Sequence, residues 1–212
     1  MRYWIGANVS YAKNKILYMD EVKHVNDFNN QTGRSTGLTY GYEFERFYTE
    51  DDFTDVKKGI LKDDVPKPSF GTPFPGDCKY VDKDGNGVID TDDRTYLGYS
   101  TQRPEYVFGL NGGIDWKGWS FSMQWTGATH VSRNLATEYR IPFSPNGARA
   151  LFKYHADERW TPETAKTATM PRFSDSSKAL NYDQNSSLWV KDASYIRLKN
   201  VQLGYTFNKK GW

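Results

Sequence analysis

Four segments of the sequence alternate between apolar residues and small polar residues. A period of two over about ten positions predicts β-strands that differ strongly between their two faces. We place these strands near residues 2–11, 104–116, 119–127 and 195–207. Their apolar sides read Tyr3-Ile5-Ala7-Val9-Tyr11, Tyr106-Phe108-Leu110-Gly112-Ile114-Trp116, Trp119-Phe121-Met123-Trp125 and Val201-Leu203-Tyr205-Phe207.

The opposite sides of these strands distinguish a membrane barrel from a soluble sandwich. They carry mostly Gly, Ser, Asn, Thr and Gln, whereas a sandwich strand turned to bulk water usually carries charged or long polar residues. A barrel wall needs an apolar side toward lipid, aromatic residues near the interfaces and a crowded polar lumen. The pattern therefore predicts an all-β fold: about four strands of a large, partial antiparallel transmembrane β-barrel.

The connections between the strands predict a topology. Trp116-Lys117-Gly118-Trp119 reads as a tight hairpin, with glycine where a positive φ is expected. Bacterial barrels have short periplasmic turns and long extracellular loops. If this hairpin is periplasmic, successive strands cross in opposite directions. Residues 12–103 and 128–192 are then extracellular loops, and residues 208–211 form a second periplasmic turn. Residues 48–62, with Thr49 as N-cap, and residues 148–159 are predicted to form short helices within those loops. The whole chain, 1–212, is thus one part of a barrel domain.

Composition narrows the function classes. The mean hydropathy is -0.79, yet 16% of the 212 residues are aromatic, which argues against disorder. The net charge is +2, from 28 basic and 26 acidic side chains without a basic cluster, so nucleic-acid binding has no electrostatic support. An aromatic-rich soluble sandwich fits these bulk values as well. A soluble, Ca²⁺-stabilised all-β carbohydrate-binding module is therefore the alternative interpretation.

The sequence offers little for catalysis. The single cysteine, Cys78, excludes an internal disulfide framework. His24, His130 and His155 are scattered without metal-ligand spacing, and no nucleophile–base motif is present. We expect a protein that is not an enzyme. The sequence also shows no signal peptide and no apolar run long enough for a transmembrane helix, so we expect Met1 not to be the natural start of an exported protein.

An aspartate-rich stretch, DKDGNGVIDTDD at residues 82–93, has the spacing of an EF-hand calcium loop. Oxygen donors alternate along its first half and a glycine occupies the sharp-turn position. The candidate Ca²⁺ ligands are Asp82, Asp84, Asn86, the Val88 carbonyl, Asp90 and Asp93. Asp93 replaces the usual bidentate glutamate, and Pro75-Gly76 leaves no room for a long entering helix. The functional interpretation is a structural Ca²⁺ clip in an extracellular loop. The alternative is a polar turn held by its own hydrogen bonds.

Several segments together resemble the SusC/RagA family of TonB-dependent transporters, in that family's order. They are NVSYAKNKILY at residues 8–18, Gly33-Arg34-Ser35, Gly41-Tyr42, PGDCKYVD at residues 75–82 continuing to Asp93-Arg94, Pro104-Glu105-Tyr106-Val107-Phe108-Gly109, Lys117-Gly118, Trp160-Thr161-Pro162-Glu163, Met170-Pro171-Arg172, and WVKDASYIRLKNVQLGYTF at residues 189–207. The resemblance covers nearly the whole chain, and the last segment is quite specific. Cys78 departs from the family pattern, which usually has an apolar residue there.

The resemblance implies a fragment of an outer-membrane nutrient importer of the plugged, roughly 22-stranded class. Such a barrel imports oligosaccharides or peptides, and a SusD-like lipoprotein lids its extracellular face. The TonB complex would supply energy through parts that this sequence does not contain, and outer-membrane lipid would surround the wall. The signal sequence, TonB box, plug and remaining strands are not represented here, so the resemblance leaves the substrate open.

Overall fold

The computed structural model describes residues 1–135, 137–143, 151–174 and 184–207, and these residues are mainly β-strands and the turns between them. The strands in chain order are β1 (Arg2–Tyr11), β2 (Thr39–Gly41), β3 (Phe44–Phe47), β4 (Phe53–Asp55), β5 (Ile60–Leu61), β6 (Lys67–Pro68), β7 (Cys78–Tyr80), β8 (Val88–Ile89), β9 (Thr95–Leu97), β10 (Tyr106–Trp116), β11 (Trp119–Thr129), β12 (Ser132–Asn134), β13 (Val190–Asp192) and β14 (Tyr195–Tyr205). The helices are α1 (Thr137–Arg140) and α2 (Lys153–Asp157), with 3-10 turns at Asp27–Asn29, Glu50–Asp52 and Thr91–Asp93. Within these ranges, no helix is both long enough and apolar enough to span a membrane.

The four long strands form one antiparallel sheet in the order β1-β10-β11-β14. This confirms the predicted fold class, a partial antiparallel sheet of long strands. The pairing places Tyr11 opposite Tyr106 at one end of the sheet and Trp116 opposite Trp119 at the other. At that second end, Lys117 (φ 48°) and Gly118 (φ 89°) form the tight hairpin that joins β10 to β11.

Cross-strand register gathers the alternating residues into two unlike faces. One apolar row joins Tyr3, Ile114, Phe121 and Leu203, and the next rows continue the same face. A polar row on the other side joins Gly6, Asn111, Gln124 and Asn200. The sheet therefore has an apolar face and a polar face, as the alternation in the sequence predicts.

Strand β14 contains a bulge that the sequence pattern did not reveal. Gln124 pairs with Asn200, but the next residue, Trp125, pairs with Leu198, so Lys199 has no residue opposite it. One extra residue inverts the alternation of side chains. The apolar face consequently uses even-numbered positions of β14 before the bulge and odd-numbered positions after it.

The two long connections fold together beyond the Tyr11–Tyr106 end of the sheet. We call the described residues 12–105 and 130–194 the loop region. Its larger core takes side chains from both connections: Tyr42, Phe47, Cys78, Tyr80, Ile89, Ile141, Trp160, Met170, Leu188 and Trp189. Short strand pairs border this core: β2–β9, β3–β7, β4–β5 and β12–β13 are antiparallel and β6–β8 is parallel. The loops are thus a packed unit, which no periodic pattern in the sequence predicts.

The helix predicted over residues 48–62 was wrong. Only the 3-10 turn Glu50–Asp52 forms there, and the following residues make the β4–β5 hairpin. The hairpin buries Phe53 and Leu61 against Tyr48 and Val65 in a second small core. That tertiary burial outweighs the local helical signals, since a single turn gains little from propensity alone.

Two further predictions concern segments that lie partly or wholly outside the described residues. The helix expected within residues 148–159 appears as α2, Lys153–Asp157, while residues 148–150 lie outside the described part of the chain. The turn predicted at residues 208–211 also lies outside the described residues.

Candidate functional site

Aromatic pairs mark both ends of the apolar face. The Tyr11 and Tyr106 rings lie 4.6 Å apart at one end, and the Trp119 and Tyr205 rings lie 4.8 Å apart at the other. Trp116, opposite Trp119, adds a third ring at that second end. Ten residue steps along β10 at about 3.4 Å, tilted by about 45°, give a band about 24 Å tall. An outer-membrane barrel has an apolar band of this height between aromatic girdles.

The apolar side chains between these two aromatic ends are exposed on the surface of the sheet. Tyr3 is 77% exposed, Ile5 78% and Leu203 70%. A soluble monomer rarely leaves so continuous an apolar patch uncovered, because each exposed Å² of it is unfavourable in water. The face is suited to hydrocarbon.

The polar face is built from small and uncharged side chains along its middle. The Ser122 hydroxyl donates to the Gln202 side-chain oxygen across β11 and β14 (3.4 Å). The Trp4 indole lies over Gly113, where an added Cβ would sit 2.8 Å from the indole nitrogen, so glycine is required for this close approach. Arg2, Asp115 and Arg197 lie nearer the ends of this face, and between them it can offer hydrogen bonds from uncharged groups, as the inside of a crowded barrel requires.

The aspartate-rich stretch brings three of its predicted ligands together. Oxygen atoms of Asp82, Asp84 and Asp93 lie within 4.8 Å of one another. Asn86 instead donates its side-chain amide to Asp84 (3.0 Å) and accepts from the Val88 backbone N–H (2.7 Å). The arrangement is a cluster of three carboxylates within the loop region.

Backbone amides already point at these carboxylates. The Asp82 carboxylate accepts from the N–H groups of Gly85 and Gly87, each at 2.8 Å. Asp93 is fully buried and accepts from the N–H groups of Lys83 (2.6 Å) and Asp90 (2.9 Å). These bonds are the ones that a self-supporting polar turn would make, and they also pre-shape the loop around one point.

Asp90, a further predicted ligand, has another role, and Asp84 within the cluster has a shifted pKa. Asp90 caps the turn Thr91–Asp93 by accepting from the Asp92 backbone N–H (2.8 Å). Partial desolvation raises the pKa of Asp84, and repulsion from the Asp93 and Asp82 carboxylates raises it further. A hydrogen bond from the Asn86 backbone acts in the opposite direction. Nearby positive charge would relieve that repulsion.

A buried ion pair joins the two halves of the loop region. Asp77, only 2% exposed, accepts from the Arg172 guanidinium at 2.6 and 3.3 Å. The Arg172 backbone N–H donates to the Gly76 carbonyl (2.9 Å), and Gly76 packs against Trp160. The segments around Pro75-Gly76, Trp160 and Met170-Pro171-Arg172 therefore meet in space although they are far apart in sequence.

No protein-family model matches the sequence. Two TonB-dependent receptors of Formosa agariphila do match it. One is 35% identical over 130 residues, which cover 61% of this chain and 12% of the receptor. The other is 28% identical over 175 residues, which cover 82% of this chain and 15% of the receptor.

Solved structures show the same fold. The RagAB peptide transporter matches with a TM-score of 0.59 at 16% identity. The RagAB peptide importer in the open-open state matches with a TM-score of 0.58 at 17% identity. Each comparison covers 96% of this chain and 20% of the other chain. The chain is therefore similar in sequence to TonB-dependent receptors and similar in fold to the RagAB structures.

This confirms the resemblance carried by the sequence motifs. The chain spans only 12% and 15% of the two curated relatives. Those relatives are named receptors and the solved structures transporters or importers, not enzymes, and the comparisons do not favour a soluble carbohydrate-binding module.

Sequence reasoning missed a charged group at one end of the sheet. At the Tyr11–Tyr106 end of the sheet, the Glu105 carboxylate lies 3.3 Å from Lys13 Nζ and 2.9 Å from His130 Nδ1. Hydrogen bonds from His130 and Lys13 lower the pKa of Glu105 in spite of partial desolvation. The His130 ring stacks on Tyr99 at 4.4 Å. The alternating pattern stops at this strand end, so no periodic signal marked these residues.

Proposed function

We propose that this chain contributes wall strands and part of the loop side of a TonB-dependent importer in the bacterial outer membrane. The observation that carries the proposal is the apolar face, about 24 Å tall between aromatic girdles and backed by a small, polar second face. The relatives named TonB-dependent receptors support the same function. The wall strands act as the boundary between lipid and an aqueous or plugged interior.

The cargo class and the partner belong to this proposal. We expect oligosaccharides or peptides as cargo, a SusD-like lipoprotein as the partner on the loop side, and energy from the TonB complex through other parts of the receptor. RagAB is named a peptide transporter, which makes peptides the first cargo class to test. The packed loop region supports the partner assignment, because a preorganised surface loses less entropy on binding than a mobile loop.

A loop excision tests the partner assignment directly. Thr39 pairs with Leu97, so residues 39–97 begin and end at neighbouring points and a short Gly–Ser linker can replace them. We expect the complete receptor with this change to insert into the membrane but to lose co-purification with its lipoprotein. Heat-modifiable migration on a gel provides the control for a folded barrel. Undiminished co-purification from a folded barrel would contradict the assignment.

We further propose that the aspartate-rich stretch binds a structural Ca²⁺ ion. Three clustered carboxylates, one of them buried, provide hard oxygen ligands at the spacing of a known calcium loop. Isothermal titration of the complete receptor with Ca²⁺ is the test, with Asp82→Ala as the variant and Asp64→Ala as a matched acidic control outside the cluster. We expect heat of binding that Asp82→Ala abolishes and Asp64→Ala preserves. No heat at millimolar Ca²⁺ would support the self-bonded polar turn instead.

A further inference from the structure

A positively charged cleft lies at the Tyr11–Tyr106 end of the sheet, where β1 and β10 enter the loop region. It consists of two adjoining hollows of about 500 and 540 Å³ that share Lys13 and Glu105. Lys15 and Arg34 line one hollow, and Arg103 lines the other together with Tyr11. We call these hollows the basic cleft.

The charges of the basic cleft do not balance. Four cations line it against one carboxylate, Glu105, and that carboxylate is engaged by Lys13 and His130. Among the described residues, Lys15 and Arg103 have no carboxylate oxygen within the 4.0 Å of an ion pair. A wet, concave surface with unbalanced positive charge attracts an anion of matching size.

Arg34 is held in place without losing its charge. Its guanidinium donates to the backbone carbonyls of Asn30 (2.8 Å) and Phe28 (3.2 Å) and lies over the Tyr96 ring at 5.2 Å. Carbonyl and ring contacts position an arginine but do not neutralise it. The positive charge beside the cleft is therefore preorganised.

The position of the basic cleft indicates which anion it meets. Tyr11 belongs to the aromatic pair that ends the apolar face and also lines the cleft. Aromatic girdles lie at the level of the lipid headgroups, so the cleft begins where acyl chains end. Lys and Arg residues at that level attract anionic headgroups.

We propose that the basic cleft binds the phosphate of an anionic outer-leaflet lipid, with the acyl chains against the neighbouring apolar face. The proposal rests on the proposed outer-membrane function of the chain. It favours a lipid over a soluble anionic cargo because the charged hollow and the exposed apolar face are continuous at Tyr11. Lys15 and Arg103 contact the phosphate, while Arg34 adds fixed positive potential.

The test uses the complete receptor in phosphatidylcholine nanodiscs that contain a phosphorylated glycolipid, lipid A. Bound lipid A is quantified by native mass spectrometry for the double variant Lys15→Gln, Arg103→Gln. The control is Lys57→Gln, Lys166→Gln, which removes the same charge from exposed sites outside the cleft. We expect about tenfold weaker lipid A binding in the first variant and unchanged binding in the control.

The other outcomes overturn specific statements. Equal lipid A binding by both variants in a membrane-embedded receptor overturns the basic cleft alone and leaves the proposed function intact. Displacement of lipid A by a soluble anionic peptide or oligosaccharide identifies a cargo site and overturns the lipid assignment. A receptor that does not embed in the nanodisc, judged by heat-modifiable migration, overturns both the proposed function and this inference.

Discussion

At the scale of single residues, charged side chains organise the loop region through one local cluster and one long-range ion pair. Asp82, Asp84 and Asp93 were expected to meet because their spacing alone wraps them around one point, and the structure brings them together. The Asp77–Arg172 pair was not foreseen, because its members are 95 positions apart and no periodicity links them. Contacts of that kind depend on how the two long connections fold against each other, which local pattern does not encode.

Asp52 gives the loop region a predictable sensitivity to acid. Burial opposes its ionisation, but bidentate hydrogen bonds from Arg46 (2.6 and 2.7 Å) and one from the Thr49 backbone outweigh it and lower the pKa of Asp52. A carboxyl with a lowered pKa stabilises the fold fully above its ordinary value of about 3.9, and that stability is lost as pH falls through the lower folded value.

We therefore expect hydrogen exchange of the backbone near residues 46–62 to accelerate in the complete receptor as pH falls below about 4, relative to intrinsic rates. Asp52→Asn should lower the local free energy of opening of this segment by about 1–2 kcal/mol already at neutral pH. Acid should then accelerate its hydrogen exchange less than in the unchanged receptor. Its exposed neighbour provides the control: Asp51→Asn should preserve the pH dependence. Identical behaviour of the two variants would contradict the role of Asp52.

At the scale of elements, strand positions were predictable because each long strand carries its own period of two. The observed ends of the four strands fall within two residues of the predicted ones. The bulge at Lys199 was not predictable from the sequence. The apolar residues before it, Ile196 and Leu198, have even numbers, and those after it, Val201 and Leu203, have odd numbers. Only the pairing with β11 shows that all four lie on the same face. Helix signals in residues 48–62 failed because burial of Phe53 and Leu61 favours a hairpin.

Single-residue deletions in β14 test this account of the bulge. Removing Lys199 should be tolerated, since it deletes the unpaired residue and leaves every side chain on its present face. Removing Gln202 should turn Leu203 and Tyr205 toward the polar face, at a cost of roughly 3 kcal/mol or more. The measurement is the heat-modifiable folded fraction of the complete receptor in the outer membrane. Equal folded fractions for the two deletions would contradict the assigned register.

At the scale of the whole molecule, the fold class and the resemblance to TonB-dependent receptors could be predicted from sequence because faces, turns and motifs all agree. The packed core of the loop region could not be predicted, because its apolar residues follow no regular period along the sequence. Within the described residues, β1 and β14 each pair with one long strand only, which leaves two open edges. A sheet with open edges cannot satisfy its backbone groups in a bilayer.

The 212-residue chain expressed alone should therefore aggregate or remain largely unfolded. Its apolar face and its two strand edges both favour association with other copies. Size-exclusion chromatography with light scattering, in buffer and in detergent, is the measurement. A monodisperse, cooperatively melting monomer in buffer would contradict the barrel account and would restore the soluble module as the better interpretation.

The most direct test of the central claim asks which medium each face of β14 meets. Spin labels are placed at Leu203→Cys and at its neighbour Gln202→Cys in the complete receptor in lipid bilayers, after exposed cysteines elsewhere are replaced. Cys78 does not compete for the label, because it is only 5% exposed and burial raises its thiol pKa. We predict that the label at Leu203 is accessible to oxygen and shielded from a water-soluble nickel complex, and that the label at Gln202 shows lower oxygen accessibility. Equal access of the nickel complex to both positions would contradict a lipid-facing wall.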